Sequence, residues 1–410
     1  MATENKKYIP TLRFPEFQND GEWNYEYGNM LYDSIVNKKH KSDLPILAIT
    51  QDNGAIPRDE INYRVIVNDK SIEGYKIVEI GDFIISLRSF QGGIEYSRYK
   101  GLCSPAYIVL RKKHSKICDD FYRHYFKSFQ YIQALNRNLE GIRDGKMVSY
   151  KQFSDIKLPC PSLAEQKKIA DCLSSLDKYI DATKRKLEQL KEHKKGLMQK
   201  LFPAKGKTLP ELRFPEFKNE GEWKTMSLGE ITSVVNRRNK SNRSLPIYSI
   251  NNADGFVPQS QQFAGMDSEA RGYDISAYKI IGKHTFAYNP ARINVGSIGY
   301  SGELKDVLIS SLYVCFKTMD NVDDDFLMCF FNSYIFNQAV ESNVEGGIRS
   351  YLFYENFSRI NIAIPSLYEQ KRIASCITSI EDMIKKTNKQ IILFETHKKG
   401  LLQQLFPMIK

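Results

Sequence analysis

PSLAEQKKIADCLSSLDKYIDATKRKLEQLKEHKKGLMQKLFP, from Pro161 to Pro203, contains one glycine, Gly196, and no proline between its two ends. Nearly the same text returns from Pro365 to Pro407 as PSLYEQKRIASCITSIEDMIKKTNKQIILFETHKKGLLQQLFP. Proline is the residue that breaks a helix most strongly, and neither copy contains one in its interior. The sequence therefore predicts two long helices of equal length, around which the rest of the chain is organised.

Apolar residues step by four and three along both copies, which is the spacing of a heptad seam. A sustained heptad needs a partner helix, and two copies on one chain can serve each other. The alternative is that each helix packs separately on its own domain. Matched lengths favour pairing, along a seam made of Ile169, Leu173, Leu176, Ile180, Leu187, Leu190, Leu197, Leu201, Ile373, Ile377, Ile380, Ile384, Ile391, Phe394, Leu401 and Leu405.

Two seam positions in each copy hold polar residues of the same types. They are Thr183 and Lys194 in the first copy and Thr387 and Lys398 in the second. Polar seam residues cost stability but can fix the register of a helix pair. About 39 helical residues would span ~58 Å at the usual rise per residue. We therefore expect the pair to act as a ruler, and one added turn of four residues in one helix should lengthen whatever spacing it sets.

The whole chain is an internal repeat of roughly 200 residues, far longer than a solenoid period. Leu12 to Phe17 recurs letter for letter as Leu212 to Phe217, and Trp23 is matched by Trp223. Short alternating runs separated by turn formers predict strands, and one helix is predicted from Asp119, with an Asp cap, and one from Asp324. The predicted organisation is α+β, with a first domain (1–160), a first helix (161–203), a second domain (204–364) and a second helix (365–410).

Composition indicates an ordinary globular chain of 410 residues with net charge +11. No apolar run reaches the ~18 to 20 residues of a membrane helix, and the first residues lack the apolar core of a signal peptide. The seven cysteines include no CxxC pair, which argues against a disulfide framework and a zinc site. We expect a cytoplasmic protein, and the basic balance suits a polyanionic partner.

A basic run occupies the same place in each domain: residues 37–42 (NKKHKS) and residues 236–241 (NRRNKS). Clusters of this kind ahead of a strand suit phosphate contacts, although a solvated loop with no ligand would have the same composition. The candidate phosphate-binding residues are Lys38, Lys39, Lys41, Arg237, Arg238, Lys240 and Arg243.

Two further kinds of segment in each domain could contact DNA. Glycine-containing runs, residues 140–150 and 345–354, precede the last strand of each domain and would let backbone approach a ligand, unless they are simple capping loops. Loops that differ between the domains offer side chains able to read guanine or adenine in the major groove, although each one alone is more simply a surface residue. The candidates in these segments are Arg143, Lys146, Arg349, Tyr351, Arg88, Gln91, Arg98, Arg292 and Asn294.

Catalytic motifs are missing from the sequence. It holds no GxxxxGK[ST] phosphate loop, no glycine-rich methyl-donor loop and no His/Asp/Glu group with metal-ligand spacing. Asn289-Pro290-Ala291-Arg292 is not the Asn-Pro-Pro-aromatic tetrad that holds a flipped adenine. We therefore assign no catalytic residue, no metal ligand and no cofactor site to this chain.

The doubled LRFPEF…GEW, PSLxEQK[KR]IA and HKKGL[ML]Q[KQ]LFP motifs, in this order, resemble the specificity subunit of type I restriction-modification systems over the full length of the chain. The resemblance implies two target recognition domains that each read half of an asymmetric bipartite DNA site, with antiparallel long helices setting the spacer. It implies docking of two methyltransferase (M) subunits and of restriction (R) subunits, with S-adenosylmethionine, ATP and Mg on those partners.

Three other interpretations fit the residues less well; the local basic runs and Arg-rich loops disfavour a scaffold without nucleic acid, and the missing catalytic motifs disfavour a fused enzyme. A stand-alone two-domain DNA-binding regulator would use the same framework without a methyltransferase. A coiled-coil scaffold would show no salt-dependent DNA binding. A fused enzyme would methylate or cleave DNA as the purified chain.

Overall fold

Two helices of 39 residues, α6 (Leu163–Leu201) and α12 (Leu367–Leu405), occupy the two repeated stretches. In this computed structural model the described residues are 9–41, 43–61, 72–137, 148–252, 254–263, 265–343 and 351–407. Each long helix begins directly after a Pro-Ser pair, and the hydroxyls of Ser162 and Ser366 accept backbone N–H bonds three residues ahead. The serines thereby satisfy donors that the first helical turn leaves unpaired.

The chain divides into two units, residues 1–184 with 389–410, and residues 185–388. The first unit therefore contains the first domain, the beginning of α6 and the end of α12. The second unit contains the end of α6, the second domain and the beginning of α12. Each domain is thus completed by the last turns of the helix that follows the other domain.

The first domain is built from short antiparallel strands and small helices. Its strands form a four-stranded sheet in the order β2-β9-β6-β7 and the pairs β1-β10, β3-β4 and β5-β8. Their bounds are β1 (Asn24–Tyr27), β2 (Tyr32–Ile35), β3 (Leu47–Thr50), β4 (Gly54–Pro57), β5 (Lys76–Val78), β6 (Phe83–Ile85), β7 (Glu95–Tyr96), β8 (Gly101–Cys103), β9 (Ile108–Lys112) and β10 (Lys157–Cys160). The helices are α1 (Gly28–Leu31), α2 (Ser89–Gly92), α3 (Asp119–Tyr125), α4 (Phe129–Arg137) and α5 (Tyr150–Ser154).

The second domain repeats this topology strand for strand. Its sheets are β12-β19-β16-β17, β11-β20, β13-β14 and β15-β18. The strands are β11 (Lys224–Ser227), β12 (Thr232–Val234), β13 (Tyr248–Asn251), β14 (Gly255–Pro258), β15 (Lys279–Ile281), β16 (Phe286–Tyr288), β17 (Ile298–Tyr300), β18 (Val307–Ile309), β19 (Val314–Thr318) and β20 (Asn361–Ile364). The helices are α7 (Leu228–Ile231), α8 (Gln259–Gln262), α9 (Asp324–Phe331), α10 (Tyr334–Asn343) and α11 (Tyr354–Phe357). The predicted pair of α+β domains joined by long helices is confirmed.

The helix predicted from Asp119 is interrupted, and so is its equivalent from Asp324. Each splits into two short helices where the hydroxyl of Ser128 or Ser333 caps the second one. The predicted Asp119 cap is also wrong, because Cys118 is the N-cap residue and its side chain does not cap. Its backbone N–H instead donates to Gln166 Oε1 on α6, so the long helix supplies the acceptor.

The repeated sequence motifs fasten each long helix to its domain. Arg13, from the LRFPEF motif, donates two hydrogen bonds of 2.7 and 2.8 Å to Glu165 on α6, and Arg213 does the same to Glu369 on α12 at 2.8 Å. Both carboxylates are about 1% exposed or less. The duplicated motifs therefore act as structural joints between each long helix and its domain.

The LFP motif at each helix end fills a core. Phe406 lies in the core of the first unit, 5.4 Å from the ring of Phe121, and Phe202 lies 5.3 Å from the ring of Phe326 in the core of the second. The start of α6 and the end of α12 share the first core, while the end of α6 and the start of α12 share the second. Within each unit the two helices therefore run antiparallel.

The predicted seam residues are all buried or half-buried. The seam lysines have specific partners across the pair, whereas the hydroxyls of Thr183 and Thr387 donate to backbone carbonyl oxygens of their own helix. Lys398 Nζ lies 2.5 Å from Asp177 in the first unit, and Lys194 Nζ lies 2.6 Å from Glu381 in the second. Because both lysines and both acids are only 24–31% exposed, these ion pairs are partly shielded from water. They favour one register of antiparallel pairing over its slipped alternatives.

Reversing the charge of Lys398 tests this role in the first unit. We expect Lys398→Glu to lower the free energy of unfolding by about 1–2 kcal/mol, because a partly buried attraction becomes a repulsion from Asp177. Urea unfolding would measure the loss. The charge swap Lys398→Glu/Asp177→Lys should restore most of it, and Lys385→Glu, beside the exposed Asp382, is the matched control. A swap that restores nothing would contradict direct pairing.

Candidate nucleic-acid interface

The basic run of the first domain lies in the exposed loop between β2 and β3. The backbone N–H of Ile77 donates to Asn37 O at 2.7 Å, which fastens the run to strand β5. Lys38, Lys39 and Lys41 are exposed. Among the residues that the structure describes, none of these three lysines forms an ion pair. The loop therefore presents three cationic side chains to solvent.

The basic run of the second domain has the same attachment but a different charge arrangement. Ile280 N–H donates to Arg237 O, and the buried Asn239 makes two side-chain bonds to the backbone of Arg243. The guanidinium groups of Arg237 and Arg243 both lie beside Asp306, at 3.3 and 3.2 Å. Within this run, Arg238 and Lys240 are exposed and form no ion pair with a described residue.

The predicted base-reading residues of the first domain lie on and beside the loop after β6. Arg88 and Gln91 are exposed at helix α2, and Arg98 is exposed just after β7. The side chain of Gln51, in the β3–β4 turn, donates to Arg88 O at 3.4 Å. The β3–β4 turn and the loop after β6 are thus held together as one exposed patch.

Lys127 is the side chain that holds this patch, and sequence reasoning missed it. Its ammonium group donates to Gln51 O at 3.1 Å, to Gly92 O at 3.0 Å and to the carboxylate of Glu95. Glu95 is 2% exposed, and burial raises its pKa to about 7, while burial also lowers the pKa of Lys127. The sequence offered one signal for this role: Lys127 follows the apolar residues of the predicted helix and directly precedes Ser128.

The second domain builds the equivalent patch with other side chains. Arg292 and Asn294 are exposed in a 3-10 turn (Ile293–Val295) that ends at Gly296, whose φ of +85° favours glycine. The backbone N–H of Leu352 donates to Pro290 O, which brings Tyr351 to this loop. The ring of Tyr351 stacks on Phe353 with centroids 5.7 Å apart. Arg292, Asn294 and Tyr351 are therefore neighbours along one pair of segments.

Some predicted residues are not brought together or cannot be placed. Arg143, Lys146 and Arg349 lie outside the described residues. In the part of each domain that is described, no hydrogen bond or ion pair joins the basic run to the loop after β6 or β16. Each domain thus offers two separate candidate patches: a basic run attached to β5 or β15, and a loop patch at the end of β6 or β16.

A third exposed cluster in the second domain was also missed. The guanidinium carbon of Arg271 lies 4.2 Å from the ring centroid of Phe263 and 5.3 Å from that of Tyr273. Cation–π contacts of this kind pre-position aromatic faces at a surface. The segment lies between β14 and β15, where the two halves of the sequence do not align, so the repeat gave no signal for it.

Among the described residues, no group of three or more His, Cys, Asp or Glu side chains is arranged to hold a metal ion. Among the described helices, none is both long and apolar enough to cross a membrane.

Comparison with known proteins gives matches to one family. The family model for the type I restriction modification DNA specificity domain matches twice, at residues 15–192 and 220–393. A candidate type I restriction enzyme specificity subunit of Methanocaldococcus jannaschii, MjaX, is 26% identical over 399 residues, covering 90% of this chain and 87% of the relative. The MjaVIII specificity subunit of the same organism is 25% identical over 353 residues, covering 80% and 79%.

Solved structures share the fold. The S subunit of a type I restriction-modification system from M. genitalium superposes with a TM-score of 0.56 at 13% identity, covering 98% of this chain and 100% of that one. A chain from a structure of type I R-M complex assembly gives a TM-score of 0.53 at 16% identity, covering 94% and 97%.

Proposed function

Because the chain belongs to the type I restriction-modification DNA specificity family, with two specificity domains, we propose that each domain reads one half of an asymmetric bipartite DNA site. The chain is a specificity subunit, and its relatives are non-catalytic components of restriction-modification enzymes. The loop patches would read bases, the basic runs would hold phosphates, and the paired helices would set the unread spacer between the half-sites.

The observation that carries this proposal is one framework bearing two different sets of side chains. The strand order is the same in both domains, whereas the loop patch holds Arg88 and Gln91 in the first and Arg292 and Asn294 in the second. Arginine pairs with guanine, and glutamine or asparagine pairs with adenine, through two hydrogen bonds in the major groove. The two patches differ in their other side chains, with Arg98 beside the first and Tyr351 beside the second, and this difference supports two unlike half-sites.

The partners follow from the family. We propose that two methyltransferase (M) subunits and restriction (R) subunits assemble on this chain in the cytoplasm. S-adenosylmethionine, ATP and Mg would then be bound by those partners, and adenine-N6 methylation and ATP-dependent cleavage would be activities of the complex. A stand-alone regulator is not favoured, because the relatives are named as subunits of type I restriction enzymes.

Genome-wide mapping of N6-methyladenine, with and without this gene, tests the proposed function directly. Deletion should abolish methylation at one bipartite motif and leave other motifs unchanged. Complementation with Arg292→Ala/Asn294→Ala should change or weaken only the half-site read by the second domain. A deletion strain that keeps every methylated motif would refute the assignment.

Matched insertions in both long helices test whether their length sets the spacer. Because the two helices are paired, an insertion in one alone would shift the heptads against each other. Seven residues added to both helices, after Lys184 and after Asn388, preserve the seam and add ~10 Å, which is about 3 base pairs of duplex. We expect the methylated motif to keep both half-sites and gain about three spacer bases. An unchanged spacer in a folded, methylating complex would contradict the ruler.

A further inference from the structure

Asp306 occupies a distinctive place in the second domain. It directly precedes β18, and its carboxylate faces two arginines of the basic run. Arg237 Nη1 lies 3.3 Å and Arg243 Nη1 lies 3.2 Å from Asp306 Oδ2. Two guanidinium groups converging on one anionic oxygen are the arrangement that proteins use to hold a phosphate.

The contact is exposed enough to be exchanged. The side chain of Asp306 is 34% exposed, and those of Arg237 and Arg243 are 57% and 43% exposed. An ion pair with this much exposure contributes little to stability, so the fold does not depend on it. The position of the two arginines within the run is instead fixed by Asn239, which is buried and bonded to the backbone of Arg243. The carboxylate of Asp306 can therefore separate from the two arginines without a change in the backbone conformation of the basic run.

The first domain has the opposite charge at the matching place. Strand β8 begins at Gly101 and is the counterpart of β18, so the residue that precedes it is Lys100. Lys100 pairs with Glu79 at 3.0 Å. Among the described residues of this domain, Lys38, Lys39 and Lys41 form no ion pair. The basic run of the first domain is therefore free to bind phosphates, whereas two of the arginines in the second run are paired with an aspartate of their own domain.

We propose that Asp306 occupies the position of a DNA phosphate on the second domain, and that the DNA backbone must displace it when this domain binds. This inference rests on the proposed function, since it concerns how that domain holds its half-site. The second domain then contributes less sequence-independent affinity than the first, because one of its phosphate sites is already filled by a carboxylate. Its binding depends correspondingly more on the loop patch that contains Arg292.

The test uses the specificity subunit assembled with its methyltransferase subunits and a duplex that carries the mapped site. Asp306→Asn should bind the duplex about tenfold more tightly at low salt. The slope of log K against log salt should steepen by about 0.9, the increment for one further phosphate contact. Asp320→Asn, an exposed aspartate without a basic partner among the described residues, makes the same change in net charge and should move neither quantity comparably.

Each other outcome is decisive. Weaker binding by Asp306→Asn, or by Asp306→Ala, would show that the carboxylate orients the arginines for DNA and would overturn the inference. Equal effects of Asp306→Asn and Asp320→Asn would reduce the result to net charge and overturn it too. The variant Arg238→Ala/Lys240→Ala distinguishes failure of the proposed function from failure of the inference. Unchanged DNA affinity in this variant would refute the proposed phosphate contacts of the run. A loss of affinity in this variant, together with no effect of Asp306→Asn, would refute only the inference about Asp306.

Discussion

Replacement of Arg13 by methionine is expected to lower the free energy of unfolding of the first unit by about 3–5 kcal/mol, because it leaves a buried carboxylate without its partner. The guanidinium group makes two hydrogen bonds of 2.7 and 2.8 Å to Glu165, and the two side chains are only 6% and 1% exposed. The same guanidinium donates to Gly21 O, so the substitution also frees the segment between the LRFPEF motif and Trp23.

The two tryptophans make the measurement specific to each unit. Trp23 is buried in the first unit and Trp223 in the second, so urea unfolding followed in Trp223→Phe and Trp23→Phe backgrounds reports on one unit at a time. Arg13→Met should shift the Trp23 transition, and Arg213→Met should shift the Trp223 transition by a similar amount.

The control for the Arg13 variant is an exposed ion pair. Arg359 pairs with Glu355 at 65% and 81% exposure, so Arg359→Met should cost less than ~0.5 kcal/mol. The double variant Arg13→Met/Glu165→Met should recover most of the loss, since both charges are then gone. A loss below ~1 kcal/mol in Arg13→Met would mean that the joint is not what couples helix to domain.

Much of the fold could be predicted from the sequence, because residues that recur in both halves of the duplication are those that form the framework. Heptad spacing predicted α6 and α12, and repeated strand-like runs predicted an α+β domain twice. The breaks at Ser128 and Ser333 were not predictable in the same way. Each serine occupies an ordinary helical position by propensity, and only its bond to the backbone N–H three residues ahead reveals a new helix start.

The candidate site was less accessible to sequence reasoning, for a physical reason. Exposed reading residues such as Arg88 and Arg292 stand out by residue type, but what orients them is a contact between distant segments. Lys127 reaches a turn 76 residues earlier, and Asp306 reaches an arginine 69 residues earlier. Neither pairing follows a local period, so no spacing rule indicates it. The aromatic motif residues Trp23 and Phe406 differ from these contacts, because each recurs in the second half of the sequence. That repetition indicates residues of the core, and both side chains are buried there.

Lys127→Met should lower methylation of the mapped site by about 100-fold, because the two segments that form the first loop patch lose their common hydrogen-bond donor. Gln51 O and Gly92 O are both bonded to this ammonium group. Without it the β3–β4 turn and the loop that contains Arg88 can separate, and a misplacement of about 1 Å is enough to cost two orders of magnitude. Lys127 thus acts as a positioning residue, because its own ammonium group is occupied by protein acceptors.

Half-site preference distinguishes positioning from a general loss of stability. Methylation of a duplex library by the assembled complex should show relaxed base preference in the half-site of the first domain and unchanged preference in the other. Asn332 stands at the equivalent place in the second domain, directly before the capping Ser333, and it is exposed. Asn332→Met is therefore the matched control and should leave both half-sites unchanged.

The Lys127→Met variant also needs a control for Glu95, because it leaves the buried carboxyl group of Glu95 without its ion-pair partner. Burial raises its pKa to about 7, so the group takes up a proton near neutral pH when its partner is lost. Lys127→Met/Glu95→Gln removes this charge, and we expect it to recover stability without restoring the half-site preference. If the double variant regained both, the ammonium group would be serving only to neutralise Glu95, and the loop would owe its position to other contacts.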